Sequence, residues 1–215
     1  LLDGSNTVVA TTTVNTNGTY TFPQANPGTY SILVSTIQGT VSSPAPAATL
    51  PTNWVTTGEN LGTATGNDGT VNGTLAPVVV STSNVTDANF GIEQLPMPSN
   101  LTAASQANPG GTVSVPVPPT TFGGTDPDGG TVTNIKITGL PTNATSITIN
   151  GTLYTSGFPI TVPTNANGEP TQPILVDPIN GVVVVGIPYS AVDNAGKESP
   201  ATGLANVPFG TVGIS

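Results

Sequence analysis

Apolar and small polar residues alternate along the chain in short runs cut by Gly, Pro and Asn. In "NGTYTFPQANPGTYSILV", residues 17–34, Tyr20 and Phe22 alternate with threonine, and Tyr30, Ile32 and Val34 alternate again after the break at Asn26-Pro27-Gly28-Thr29. A period of two sends every second side chain to one face, so both runs read as half-buried strands. Between them, Pro27 presets φ and Gly28 tolerates φ > 0, which predicts a type II turn. In "SITINGTLY" the Asn150-Gly151 pair sits between β-type runs and predicts a type I′ hairpin. The apolar run at residues 182–185 predicts a strand buried on both faces, extended by the alternation Ile187, Tyr189, Ala191. Helix is disfavoured, because Pro, Gly or clustered β-branched residues interrupt every window long enough for three turns.

Turn signals recur about every 8–12 residues, the spacing of an all-β sandwich. The length, 215 residues, suits two ordinary domains. A strand through Phe90 and Ile92 closes before Pro96 and Pro98 stiffen the chain, so the division is expected near residue 96. The expectation is two antiparallel β-sandwich modules in tandem, residues 1–95 and 96–215.

Composition then removes much chemistry. Only 6% of residues are charged, against roughly 25% in an ordinary domain, so Ser, Thr and Asn must carry solubility. The 26 glycines and 22 prolines, roughly a fifth of the chain between them, fall just short of the level that marks low-complexity sequence, and they read as dense turns in a folded chain. There is no His, Cys or Arg, and Lys136 and Lys197 are the whole basic complement. The usual zinc and haem ligands, Ser-His-Asp or Cys-His pairs and arginine phosphate clamps are therefore ruled out. A formal net charge of -9 repels polyanions, which argues against nucleic acid as a partner. No charged-then-apolar leader and no long apolar run stands in the sequence, so neither a signal peptide nor membrane insertion is expected of it.

Several stretches carry a resemblance. "GTYTFPQANPGTYSILV" with "VTDANFGIEQLP" resembles the serine-aspartate-repeat B-like domains of bacterial surface proteins, relatives of the collagen-adhesin B-type sandwich. The matching positions are Gly18, Tyr20, Phe22, Pro27, Gly28, Tyr30, Ile32 and Val34, then Asn89, Phe90 and Gly91. Such domains open with an earlier strand and an acidic calcium loop, so the resemblance implies a first module lacking its first strand. The final "FGTVGIS" resembles that strand, as though one copy of a tandem array were followed by the next. Residues 125–154 and 176–199 resemble cadherin-like and immunoglobulin-like repeats of giant bacterial surface proteins. The shared motifs are the turn at Asp126-Pro127-Asp128-Gly129, Leu140-Pro141, the Asn150-Gly151 hairpin, and the late motif from Asp193 to Ser199. Together they are similar to stalk repeats of very large adhesins of Bacteroidetes-type gliding bacteria, exported by type IX secretion. The implied fold is Ig-like or prealbumin-like.

The resemblance brings Asp126, Asp128 and Asp193 together as candidate calcium ligands, since Ca²⁺ takes 6–8 oxygens. The other reading of the same residues is a turn, with Asp accepting local backbone bonds and Gly supplying φ > 0. Asn67, Asp68 and Asn72 form a weaker oxygen cluster with a single carboxylate. No carboxylate pair shows convergence on a sugar cleft, and Glu59, Glu93, Glu169 and Glu198 are expected as solvated turn or linker residues, so no enzyme is expected. Lys136, alternating with Ile135 and Ile137, is expected to face solvent, which disfavours an isopeptide bond. Trp54 is a candidate sugar-stacking residue or a core cap. Sequons beginning at Asn17, Asn72, Asn84, Asn100, Asn143 and Asn150 read as turn composition.

The resulting expectation is a spacer repeat of an extracellular bacterial surface adhesin, supporting adhesion or gliding, with calcium as candidate cofactor and neighbouring repeats as partners. Surface glycans or other cells would be met through other domains. The alternatives are a carbohydrate-binding or accessory module of a secreted hydrolase, and a subunit that polymerises by strand exchange.

Overall fold

Alternation of Gly, Pro and β-branched residues yields strands and turns throughout the computed structural model, which describes residues 1–64 and 66–210. The protein is all-β: among the described residues the one helical element is a 3-10 turn at Pro119–Thr121, and no helix is long and apolar enough to cross a membrane. The chain divides into two units, Leu1–Glu93 and Gln94–Ser215.

In the first unit, β1 (Gly28–Leu33) pairs antiparallel with β3 (Thr74–Val80), while β2 (Trp54–Leu61) pairs with β4 (Ala88–Gln94). Leu1, Ile32, Leu75 and Val78 form a small buried core, with Tyr20, Phe22, Tyr30 and Phe90 half-buried against it. Two corrections arise here. Gly28 is the first residue of β1, paired with Val80, and is not among the glycines with positive φ, so strand pairing replaces the type II turn expected at Pro27-Gly28. Tyr20 and Phe22 lie outside any named strand, and their rings pack on the core edge-to-face, with centroids 6.0 Å apart.

The second unit has short edge strands β5 (Met97–Pro98), β6 (Leu101–Thr102), β7 (Gln106–Ala107), β8 (Val115–Pro116) and β9 (Gly124–Thr125). These precede β10 (Val132–Ile137), β11 (Ala144–Ile149), β12 (Thr152–Tyr154), β13 (Ile160–Pro163), β14 (Ile174–Pro178), β15 (Val183–Asp193) and β16 (Gly203–Gly210). One sheet runs β13-β10-β15-β16-β6, with β7 also on β16; another runs β12-β11-β14-β8. In β16 the alternation is complete: Gly203, Ala205, Val207 and Phe209 are buried while the residues between them are not. Ile135 and Ile137 of β10, Ile147 and Ile149 of β11, Val176 of β14, and Ile187 and Tyr189 of β15 join the same core. Each such side chain, when fully buried, contributes about 1.5–3 kcal/mol.

The hairpin at Asn150-Gly151 has φ values of 48° and 81°, as a type I′ turn demands, and joins β11 to β12 through the Ile149–Thr152 pair. The run at residues 182–185 differs from its expectation. Val182 and Val184 are exposed and Val185 is fully buried, so this end of β15 is covered on one face only. Burial on both faces begins at Val185 and, past the half-buried Pro188, is unbroken from Tyr189 to Asp193. Thr211 to Ser215, most of the stretch likened to a first strand, lie outside the described residues.

Candidate metal centre

Two turns of the second unit bring three aspartates together. The first follows β9, where Gly129 N–H donates to the Asp126 carbonyl at 3.3 Å and Gly129 takes φ 101°. A side chain at Gly130 would collide with Asp126 Oδ2 and Asn194 Oδ1, so a Cβ here would force both side chains to shift. The second turn follows β15, whose last residue, Asp193, pairs with Val132. Lys197 N–H donates to Asp193 Oδ1 at 2.7 Å, and Gly196 N–H donates to the Asp193 carbonyl at 3.2 Å. Asn194 Oδ1 accepts Thr131 N–H at 2.6 Å, tying the second turn to the first.

Within this frame Asp193 is 1% exposed, and carboxylate oxygens of Asp126 and Asp193 lie within 4.8 Å of each other. Asp126 Oδ1 and Asp193 Oδ2 are both buried and accept no hydrogen bond. Buried oxygens almost always have a partner, and an uncompensated buried charge is costly. Glu59 and Asp177 each also keep one bare oxygen, but among the described residues Asp126 and Asp193 are the two such carboxylates that fall in one acidic group.

The titration of the group follows from this crowding. Burial, a hydrogen bond with Asp128 and the charges of Asp128 and Asp193 push the Asp126 carboxyl up to about 6. Asp128 is held below the ordinary value, chiefly by Gln94 N–H, which donates to its Oδ2 at 2.9 Å, and then by its bond with Asp126.

These residues fit a hard divalent cation. Two oxygens sharing Ca²⁺ at about 2.3–2.6 Å each stand within about 5 Å of one another. Asp126 and Asp193 would supply such a pair, Asp128 carries a further carboxylate beside Asp126, and backbone carbonyls or water would complete the shell.

Other candidates resolve locally. In the 67–74 loop, Asn67 Oδ1 accepts Gly69 N–H, Asp68 accepts Thr70 and Ala76 N–H, and Asn72 Oδ1 accepts Thr74 N–H, so these oxygens are engaged in turn bonds. Trp54 is half-buried beside a cavity of about 240 Å³ lined by Leu50, Val55 and Asn72. Tyr189 is fully buried, its hydroxyl 2.6 Å from the Ser99 carbonyl, so it is no surface aromatic. Lys136 Nζ pairs with Glu198 Oε2 at 2.6 Å, and this contact, followed by Ser190, holds the Glu198 carboxyl low. Two of the four glutamates expected in solvent are buried: Glu59, 0% exposed within β2 with Oε1 accepting Gly73 N–H, and Glu93, 9% exposed.

Sequence reasoning missed Gly130, Asn194 and the Gln94 amide. The Gly129-Gly130 doublet carried a signal for the first, since a second glycine beyond the turn residue points to close approach. No family model matches the chain, and comparison with curated proteins and with solved structures gives no significant match.

Proposed function

We propose that the chain is a spacer repeat of a long extracellular surface protein, its second unit stiffened by a divalent cation, calcium by choice of ligands. The observation that carries the cation is the pair of buried, unpartnered oxygens on Asp126 and Asp193. The division into two β units, Leu1–Glu93 and Gln94–Ser215, supports the serial-module part of the reading. A cation between the β9 and β15 turns replaces repulsion with shared ligation and so raises the force needed to separate them. The resemblance to Bacteroidetes-type adhesin stalks supplies the setting: neighbouring repeats as partners, adhesion or gliding as purpose, and a cell-surface location.

Pulling the chain by its ends tests this. Two separate unfolding steps are expected, releasing roughly 300 Å and 400 Å at about 3.3–3.6 Å per residue, the larger at higher force in calcium than in chelator. Unfolding without resolved steps, or at forces blind to calcium, contradicts the reading.

A further inference from the structure

Five times in the chain an asparagine is followed by glycine: at Asn17, Asn72, Asn150, Asn167 and Asn180. Such a pair carries a reaction as well as a turn. The glycine amide nitrogen can attack the carboxamide carbon of the preceding asparagine, closing a small ring, and glycine has no Cβ to hinder the approach. All five pairs share this chemistry, so their surroundings decide which of them reacts.

Four pairs are tied at a reacting group. Gly18 N–H donates to the Asn15 carbonyl at 2.9 Å, and Asn17 Oδ1 accepts Thr19 N–H at 3.1 Å. Gly73 N–H donates to the buried Glu59 Oε1 at 2.5 Å, and Asn72 Oδ1 accepts Thr74 N–H at 2.8 Å. Gly168 is buried, its N–H donating to the Asn165 carbonyl at 3.0 Å. Asn180 Oδ1 accepts Gly111 N–H at 2.8 Å, while Asn108 Nδ2 donates to the Gly181 carbonyl at 2.7 Å.

The fifth pair is free where the others are held. Asn150 and Gly151 are both exposed, at the tip of the hairpin between β11 and β12. Asn150 N–H donates to the Pro173 carbonyl at 2.9 Å, but that group takes no part in the reaction. Among the described residues neither the Asn150 carboxamide nor the Gly151 N–H has a hydrogen-bond partner. What opposes the reaction here is the turn itself, whose dihedrals must rotate to bring the carboxamide carbon onto the nitrogen. An exposed loop tip opens at far lower cost than the core strands behind it.

We propose that Asn150 is a modification site, converting without any enzyme to aspartate and isoaspartate, with water as the co-reactant. The Gly151 nitrogen bonds to Asn150 Cγ, the Cγ–Nδ2 bond breaks, and ammonia leaves with the amide proton. Water then opens the cyclic imide. Cleavage at Cγ gives aspartate, and cleavage of the original peptide bond gives isoaspartate, with the main chain rerouted through Cγ. Either product adds a negative charge at the hairpin tip. Isoaspartate also lengthens the two-residue loop by one main-chain carbon, and that loop length sets Ile149 opposite Thr152. The pairing of β12 on β11 is then lost. Neither the spacer reading nor the cation enters this argument.

The test incubates the full chain for weeks at pH 8 and 37 °C, beside the same chain unfolded in guanidinium chloride. Peptide mapping by mass spectrometry follows conversion of amide to acid at each pair, with fragmentation that tells isoaspartate from aspartate. In the folded chain Asn150 is expected to lead, because each bond that must open first slows a tied pair by roughly 2- to 10-fold. Once unfolded, the five pairs should convert at similar rates. A folded chain in which Asn150 stays intact or converts no faster than the tied pairs overturns the proposal. So does a lead at Asn150 that persists undiminished in the unfolded chain.

Discussion

Replacing Asp193 with Asn separates a cation site from a mere turn by the sign of its effect. At pH 7.5, above the value of about 6 for Asp126, its carboxylate stands charged within 4.8 Å of the Asp193 carboxyl. At an effective dielectric of about 20, two unit charges at that distance repel by about 3.5 kcal/mol. Asp126 is only partly buried, and solvent screening reduces this to about 1–2 kcal/mol. In Asp193→Asn the amide oxygen can keep the bond from Lys197 N–H, and the amide nitrogen can donate where Oδ2 had no partner. In chelator the variant should therefore melt higher than the parent, by roughly 3–8 °C for a unit of this size. In calcium at a hundredfold excess over its dissociation constant the parent gains about 2.7 kcal/mol, most of which the variant forfeits, so the order reverses. Calorimetry of the full chain in chelator and in calcium reads both, with Trp54 fluorescence assigning the first unit's transition. A variant that melts lower than the parent by the same amount in both conditions would refute the reasoning, because only a lost turn bond acts that way.

Four further outcomes are expected. In chelator the second unit should lose stability as pH rises: the Asp126 carboxyl is raised in the folded state, so its contribution is whole below about 3.8 and gone above about 6, while Asp126→Asn flattens that slope in a pH series of melts. Tyr189→Phe should cost about 1–3 kcal/mol in denaturant unfolding, since the buried hydroxyl lies 2.8 Å from the Gly123 carbonyl and accepts Gly123 N–H at 3.2 Å. Ile187→Ala, emptying a fully buried position, should cost about 2–5 kcal/mol by the same measurement. Gly130→Ala should weaken calcium binding in calorimetric titration, because the added methyl displaces Asp126 and Asn194.

The legible parts of the fold are those in which one or two residues demand a backbone state or repeat with period two. Asn150-Gly151 tolerates the positive φ that few other pairs accept, and Ile187, Tyr189 and Ala191 mark one buried face of β15 by their own alternation. The Pro27-Gly28 pair misled because a permitted positive φ is not an obligatory one; pairing with Val80 decided Gly28. Residues 182–185 misled because an unbroken valine run does not reveal that its end of the strand is open on one side. Glu59 was invisible because a carboxylate beside glycine reads as a turn, whereas the Gly73 amide that receives it lies 14 residues away in sequence. The site divides in the same way. The turn at Asp126 was plain from local chemistry, but its meeting with Asp193 is a contact across 67 positions that only strand pairing creates.

The most direct measurement of the central claim is calorimetric titration of calcium into the chelator-treated full chain at pH 7.5, beside Asp126→Asn and Asp193→Asn. The account predicts saturable binding in the parent and its loss in both variants. A parent chain that takes up no calcium, or variants that bind it as the parent does, would contradict the account.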